Sequence, residues 1–238
     1  MSIKSIPSNE RLIFAMDVPD CDRARALTDE LGDSVTFYKI GLELMMSGGY
    51  FELLDWMLAR DKKVFCDLKF FDIPATVGSA VRRLKDRGAS FVTVHGNQSI
   101  MEAAAENKGD RLKVLGVTVL TSLDRGDLDD MGFDCDIEEL VLSRARRALE
   151  AGCDGVISSG LEVPRLREYV DSKLLVVTPG IRPVDNKPSG DQKRVVSVEK
   201  AFQNGADYIV VGRPIRDSDS PRAAAEGIQA TIAKQVAN

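Results

Sequence analysis

Short apolar runs recur along this chain, and each is followed by a stretch with apolar residues at helical spacing. The runs are residues 11–17 (R-L-I-F-A-M-D), 35–40 (V-T-F-Y-K-I), 62–69 (K-K-V-F-C-D-L-K), 90–95 (S-F-V-T-V-H), 113–121 (K-V-L-G-V-T-V-L-T), 154–158 (D-G-V-I-S), 174–178 (L-L-V-V-T) and 207–211 (D-Y-I-V-V). They are β-branched and continuously apolar, as parallel strands covered on both faces should be. The intervening segments read as helices. Phe51, Leu54 and Leu58 share one face of residues 50–60, and Ile228, Ile232 and Val236 stripe the last segment. Several of these segments stop at glycine, among them Gly32, Gly88, Gly152 and Gly205, where a left-handed residue closes the final turn.

Eight strand–helix units in 238 residues predict a (β/α)8 TIM barrel, with residues 1–238 forming one domain. The alternative is an open doubly wound sheet. Against it, no G-x-G-x-x-G follows the first strand, and Asp17 stands where glycines would be needed. No low-complexity tract or internal repeat breaks the chain.

Composition narrows the function. A net charge of −5 gives no general attraction to nucleic acid or to an anionic membrane. No apolar run reaches the roughly 18 residues of a transmembrane helix, and the N-terminus lacks a signal peptide's apolar core. Cys21, Cys66, Cys135 and Cys153 are scattered, without metal-site spacing. They read as reduced thiols of a cytoplasmic protein. The single histidine, His95, excludes a metal site built on several imidazoles; it reads as structural or site-lining.

The chemistry concentrates in residues 62–77, K-K-V-F-C-D-L-K-F-F-D-I-P-A-T-V. Alternation along a strand puts Phe65, Asp67 and Lys69 on one face. With Val64, Cys66 and Leu68 packed outward on helices, a carboxylate and an ammonium are aimed inward together. Asp72 follows the strand end and is placed to cap the helix opened by Ile73 and Pro74. A salt bridge plus a cap accounts for any one of these charges; three together at a strand end point to a site. Polar groups also end the other strands: Asp17, Lys39, His95, Thr121 with Ser122, Ser158, Arg182 and Arg213. Barrel sites form at those ends.

Two strand ends look suited to an anion. Gly212 lets a ligand approach the backbone, Arg213 adds a fork of donors, and S-D-S-P beyond can open a helix. Arg182 opens a loop containing Lys187, Gly190, Gln192 and Lys193. Barrels often bind phosphate after strands seven and eight, so a phosphorylated substrate is expected. Residues 183–192 read as an ordinary loop or as a lid closing on that phosphate. The acidic connection 122–136 reads as a surface loop or part of a lid.

The block D-L-K-F-F-D-I-P-A-T resembles the signature of the orotidine 5′-monophosphate decarboxylase family, bacterial branch. A-M-D, Y-K-I-G, L-T-S, T-P-G-I-R and Y-I-V-V-G-R-P-I resemble its other blocks, in order, over essentially the whole chain. The resemblance implies loss of CO2 from orotidine 5′-monophosphate to give UMP, the last step of de novo pyrimidine synthesis. It implies no metal, no organic cofactor, and a homodimer in which Asp72 and Thr76 reach the neighbour's site. It further implies that Lys69, Asp67, Asp72 and Lys39 form the catalytic charge row. Asp17 and Lys39 would hold ribose hydroxyls, and Ser122 the pyrimidine amide edge beside Thr121. Gly212 and Arg213 would hold phosphate; Gln192 would bridge phosphate and base, with Arg182 at the root of its loop. Two rivals remain: a metal-assisted relative similar to 3-keto-gulonate 6-phosphate decarboxylase or hexulose-phosphate synthase, and a catalytically silent phosphate-binding barrel. The first would want a carboxylate where Lys39 stands.

Overall fold

The computed structural model describes residues 4–182 and 194–237. The predicted loop, with Gln192, lies outside the described residues. Eight parallel strands close into a barrel in chain order, with β1 pairing both β2 and β8. They are β1 (Leu12–Ala15), β2 (Phe37–Gly41), β3 (Lys63–Phe70), β4 (Phe91–Val94), β5 (Lys113–Val117), β6 (Gly155–Ile157), β7 (Leu175–Thr178) and β8 (Tyr208–Val211). Among the described residues the helices are α1 (Cys21–Leu31), α2 (Leu42–Met46), α3 (Tyr50–Leu58), α4 (Pro74–Arg87), α5 (Gln98–Asn107), α6 (Arg125–Asp130), α7 (Ile137–Glu150), α8 (Val163–Tyr169), α9 (Val198–Gln203), α10 (Arg213–Arg216) and α11 (Pro221–Val236). None is long and apolar enough to cross a membrane.

Two apolar layers follow from strand alternation. Outward residues such as Phe14, Tyr38, Val64, Val92 and Val176 pack on the helices. Inward residues Ile13, Phe37, Phe65, Phe91, Leu115, Leu175 and Tyr208 fill the barrel itself. The interior is aromatic: Phe37 and Phe91 lie edge to face at 4.9 Å, and Phe91 and Tyr208 at 5.2 Å. Such rings exclude water from the middle of the barrel and form a rigid floor. Two residues further along four of the inward rows the sequence turns polar. Ala15 leads to Asp17, Phe37 to Lys39, Phe65 to Asp67 and Phe91 to Thr93. The period of two that seals the floor thereby also lays polar groups on top of it.

The structure corrects several local expectations. β5 ends at Val117, so Thr121 and Ser122 lie in the loop beyond it. The acidic connection 122–136 contains α6, and three of its acids serve helix capping. Asp124 accepts from the amides of Gly126 and Asp127, Asp127 accepts from the Asp124 amide, and Asp136 caps α7 through the Glu139 amide. Asp72 is not the cap of α4: Ile73 holds that position, and Asp72 accepts from the adjacent Ile73 amide at 2.6 Å. The S-D-S-P segment does open α11, with Ser220 capping it, but α10 intervenes and none of Ser218, Asp219 or Ser220 lines the cleft described below.

Candidate active site

A cleft of about 450 Å³ opens at the C-terminal ends of the strands. Asp17, Lys39, Asp67, Lys69, Thr121, Ser122, Arg182, Gly212 and Arg213 line it, together with Arg216. Asp72 and Thr76 do not line it; both are exposed on the rim side of β3 and α4.

Its centre is a row of alternating charges. Lys39 Nζ stands 3.1 Å from Asp17 Oδ1 and 3.4 Å from Asp67 Oδ2. Lys69 Nζ stands 2.9 Å from Asp67 Oδ1. Exposure falls from both ends of the row to its middle: the side chains of Asp17 and Lys69 are 49% and 33% exposed, those of Lys39 and Asp67 13% and 12%. Lys69 is therefore the ammonium that opens on to the cleft, while Lys39 is held behind it. Burial alone would raise the Asp67 pKa, but Lys39 and then Lys69 outweigh it, and the carboxyl is held below its usual range. Burial alone would lower that of Lys39; Asp67 and Asp17 outweigh it, and the amine is pushed up. Asp67 and Lys39 are thus both kept ionised by their opposite neighbours.

Lys69 reaches this position by a break in the strand. Its φ is 47°, in the left-handed region that non-glycine residues seldom occupy. The β3–β4 register slips between Cys66 and Phe70. The plain alternation expected from the sequence thus fails at Lys69, yet the bulge returns its ammonium to Asp67. Thr93 of β4 meets the break. Its Oγ1 accepts the Lys69 amide at 3.0 Å and donates to Asp67 Oδ1 at 2.8 Å.

On the opposite wall, a Cβ built on Gly212 would come within 3.3 Å of the Ala15 Cβ, so this position favours a residue without one. Arg213 follows it and opens α10. Arg216, which the sequence reading missed, lines the same wall and donates to the Asp17 carbonyl. A four-residue helix after β8 carries it inward, and the R-P-I-R spacing is the signal that could have revealed it. The loop bearing Thr121 and Ser122 is held from behind. Arg144 donates to the Thr118 carbonyl at 2.6 Å, and Arg194 to those of Val119 and Leu120 at 3.2 and 2.9 Å. Arg194 is itself paired with buried Glu162 at 2.6 Å. His95 stands outside the cleft lining, half-buried, with its ring 5.8 Å from that of Phe71. Burial, then Arg144 and Lys69, hold its pKa below the usual imidazole value.

A family model described as "Orotidine 5'-phosphate decarboxylase / HUMPS family" matches residues 10–228. The chain belongs to that family. It is 66% identical over 232 residues to an orotidine 5'-phosphate decarboxylase of Methylococcus capsulatus, covering 98% of this chain and 96% of that one. It is 54% identical over 230 residues to the protein of the same name from Xanthomonas axonopodis, covering 95% and 93%. Its fold is similar to a crystal structure of orotidine 5'-phosphate decarboxylase from Lactobacillus acidophilus, with a TM-score of 0.83 and 33% identity over 94% of this chain and 99% of that one. The barrel that carries this charge row is thus similar over nearly its whole length to that solved structure.

Proposed function

We propose that this chain decarboxylates orotidine 5′-monophosphate to UMP in pyrimidine biosynthesis, and that Lys69 carries the step. The observation behind this reading is the ammonium at the open end of a charge row, above a sealed aromatic floor. Loss of CO2 from carbon 6 of the pyrimidine leaves a lone pair in the ring plane, with no conjugated sink. A fixed cation must already stand where that charge develops. Lys69 supplies it and then delivers its proton to the same carbon. Asp67, ionised beside it, crowds the substrate carboxylate, and that repulsion disappears as CO2 departs. Lys39 keeps Asp67 ionised from behind.

The remaining contacts hold the nucleotide. Gly212 and Arg213 take the phosphate, Arg182 lines the same cleft, and Gln192 bridges phosphate and base. Asp17 and Lys39 take ribose hydroxyls; Ser122, beside Thr121, takes the amide edge of the base. Binding energy gathered at the phosphate, remote from the reacting carbon, is then available to lower the barrier. Asp72 and Thr76 complete the neighbour's site in a homodimer. Supporting this, Phe71 and Ile73 flank Asp72 and are 69% and 65% exposed, and Leu42 and Met46 of α2, after the neighbouring strand, are 58% and 83% exposed. Apolar side chains left in water at one rim favour a partner there. The four free cysteines suit the reducing cytoplasm.

Against a metal-assisted rival stands the donor set. Between Asp17 and Asp67, where a divalent ion would sit, stands the Lys39 ammonium. Purified protein is expected to deplete orotidine monophosphate absorbance at an undiminished rate with excess EDTA. Activity lost to the chelator and restored by Mg2+ would overturn the reading.

A further inference from the structure

Thr93 is fully buried and sits inside the barrel, two residues beyond Phe91 on the inward row of β4. Its place in the ladder is unusual. Cys66 pairs with Val92, but the next pairing is Phe70 with Val94, so four steps of β3 span two of β4. The surplus residues include Asp67 and Lys69, and Thr93 lies opposite them. In a regular parallel ladder a β4 backbone carbonyl would satisfy β3 amides through this stretch. Here the Lys69 amide goes instead to the Thr93 hydroxyl at 3.0 Å, and that hydroxyl passes its own proton to Asp67 Oδ1 at 2.8 Å. The same Asp67 oxygen receives the Lys69 ammonium at 2.9 Å. One hydroxyl thereby joins the backbone of the lysine to the carboxylate that its side chain touches.

Left-handed backbone at a lysine persists only where its surroundings impose it. Among the described contacts, Thr93 is the side chain that holds the Lys69 amide in that turn. We infer that Thr93 is a positioning residue for the decarboxylation, fixing the β3 bulge so that the Lys69 ammonium and the Asp67 carboxylate keep their separation through the reaction. This rests on the role given to Lys69 above and extends it. Thr93 meets no reacting atom; it acts through the two groups that do. The groups facing Asp67 are Lys39 from β2, Lys69 from its own strand and Thr93 from β4, with Asp17 of the loop after β1 beyond Lys39.

The test compares Thr93→Val, which keeps the shape without the hydroxyl, with Thr93→Ser, which keeps the hydroxyl. Both are assayed on orotidine monophosphate with EDTA, beside the wild type and Lys69→Ala. The valine variant is expected to lose about tenfold or more in kcat with KM little changed, the size of effect a charge-assisted bond or small misplacement produces. Its acid limb should move to higher pH, because Asp67 has lost a donor to its ionised form. Serine should recover most of the loss. Should the valine variant fail to fold, Thr93→Cys, of similar size and only a weak donor, takes its place with the same expectations. Wild-type kcat in the valine variant overturns the inference. So does a serine variant no better than valine, or a lowered Tm with kcat and acid limb unmoved. A wild type that leaves orotidine monophosphate intact overturns the functional reading itself, and this role for Thr93 with it.

Discussion

Asp67 holds two ammonium groups on its two oxygens: Lys69 at 2.9 Å on Oδ1 and Lys39 at 3.4 Å on Oδ2. The two lysines are not equivalent. Lys39 is enclosed between two carboxylates, whereas Lys69 has one acidic neighbour among the described residues and a side chain a third exposed to the cleft. Removing Lys69 should therefore cost chemistry and leave the scaffold intact. Lys69→Ala is expected to lower UMP formation by at least about 10³-fold, as loss of a preorganised charge at a transition state does. Circular dichroism and binding of UMP should stay near wild type. Near-normal turnover would remove Lys69 from the mechanism.

Removing Lys39 should act differently, through Asp67. Burial raises the Asp67 pKa, and Lys39 is the largest influence lowering it. In the wild type the folded value is depressed. The stability Asp67 contributes is then fully present above its unfolded pKa of about 3.9 and lost as pH falls through the folded value. Lys39 has a raised folded value, so its contribution is present below about 10.4 and lost as pH climbs through that value. In Lys39→Met both windows change. Burial is then opposed by Lys69 and Thr93 without Lys39, so the Asp67 carboxyl titrates at higher pH than in the wild type, and the alkaline loss due to Lys39 vanishes. Urea unfolding across pH is the measurement; an acid limb unmoved by the substitution would contradict the pairing.

Glu162 and Arg194 form a further buried ion pair near the site, with side chains 9% and 10% exposed. Burial is the main influence on Glu162 and outweighs Arg194, leaving its carboxyl above the usual range. Truncation to Glu162→Ala strands the guanidinium that holds the Val119 and Leu120 carbonyls. The expected loss is about 3–5 kcal/mol of unfolding free energy. KM for the nucleotide should also rise, since Thr121 and Ser122 follow directly on those carbonyls. A variant as stable as wild type would show the pair to be dispensable.

Much of this was readable from the chain alone, for a physical reason. Parallel strands enclosed on both faces must be apolar throughout, so Asp17, Lys39 and Asp67 stood out as interruptions in otherwise unbroken runs. The inward parity of Phe65 also predicted that Asp67 faces the barrel. Alternation failed at Lys69, because a bulge resets parity and no local residue announces it; the surplus length appears only against β4. Thr93 was overlooked for a related reason. A threonine is ordinary in a strand, and its bonds to Asp67 and Lys69 span 26 and 24 residues of sequence. The acids of 122–136 carried no motif, yet Asp124, Asp127 and Asp136 serve as caps, as Asp-x-x-Asp ahead of Leu128 could have suggested.

The rim of β3 yields the last prediction. Asp72 belongs to the recognised signature, but in this chain it is exposed, lies outside the cleft lining and accepts its neighbour's amide. If it serves catalysis it does so in a second copy, and the exposed Phe71 and Ile73 beside it mark where that copy would sit. Lys69→Ala and Asp72→Ala should each be nearly inactive alone. In a mixed dimer, one site combines both lesions and the other combines neither. Mixing the two variants under conditions that exchange subunits should then restore activity, toward about a quarter of wild type at equal proportions for a two-fold symmetric pair. Phe71→Asp, which places a charge on the same rim, should block that recovery and shift the protein to a monomer by sedimentation. A mixture no more active than its components would place Asp72 outside the partner's site.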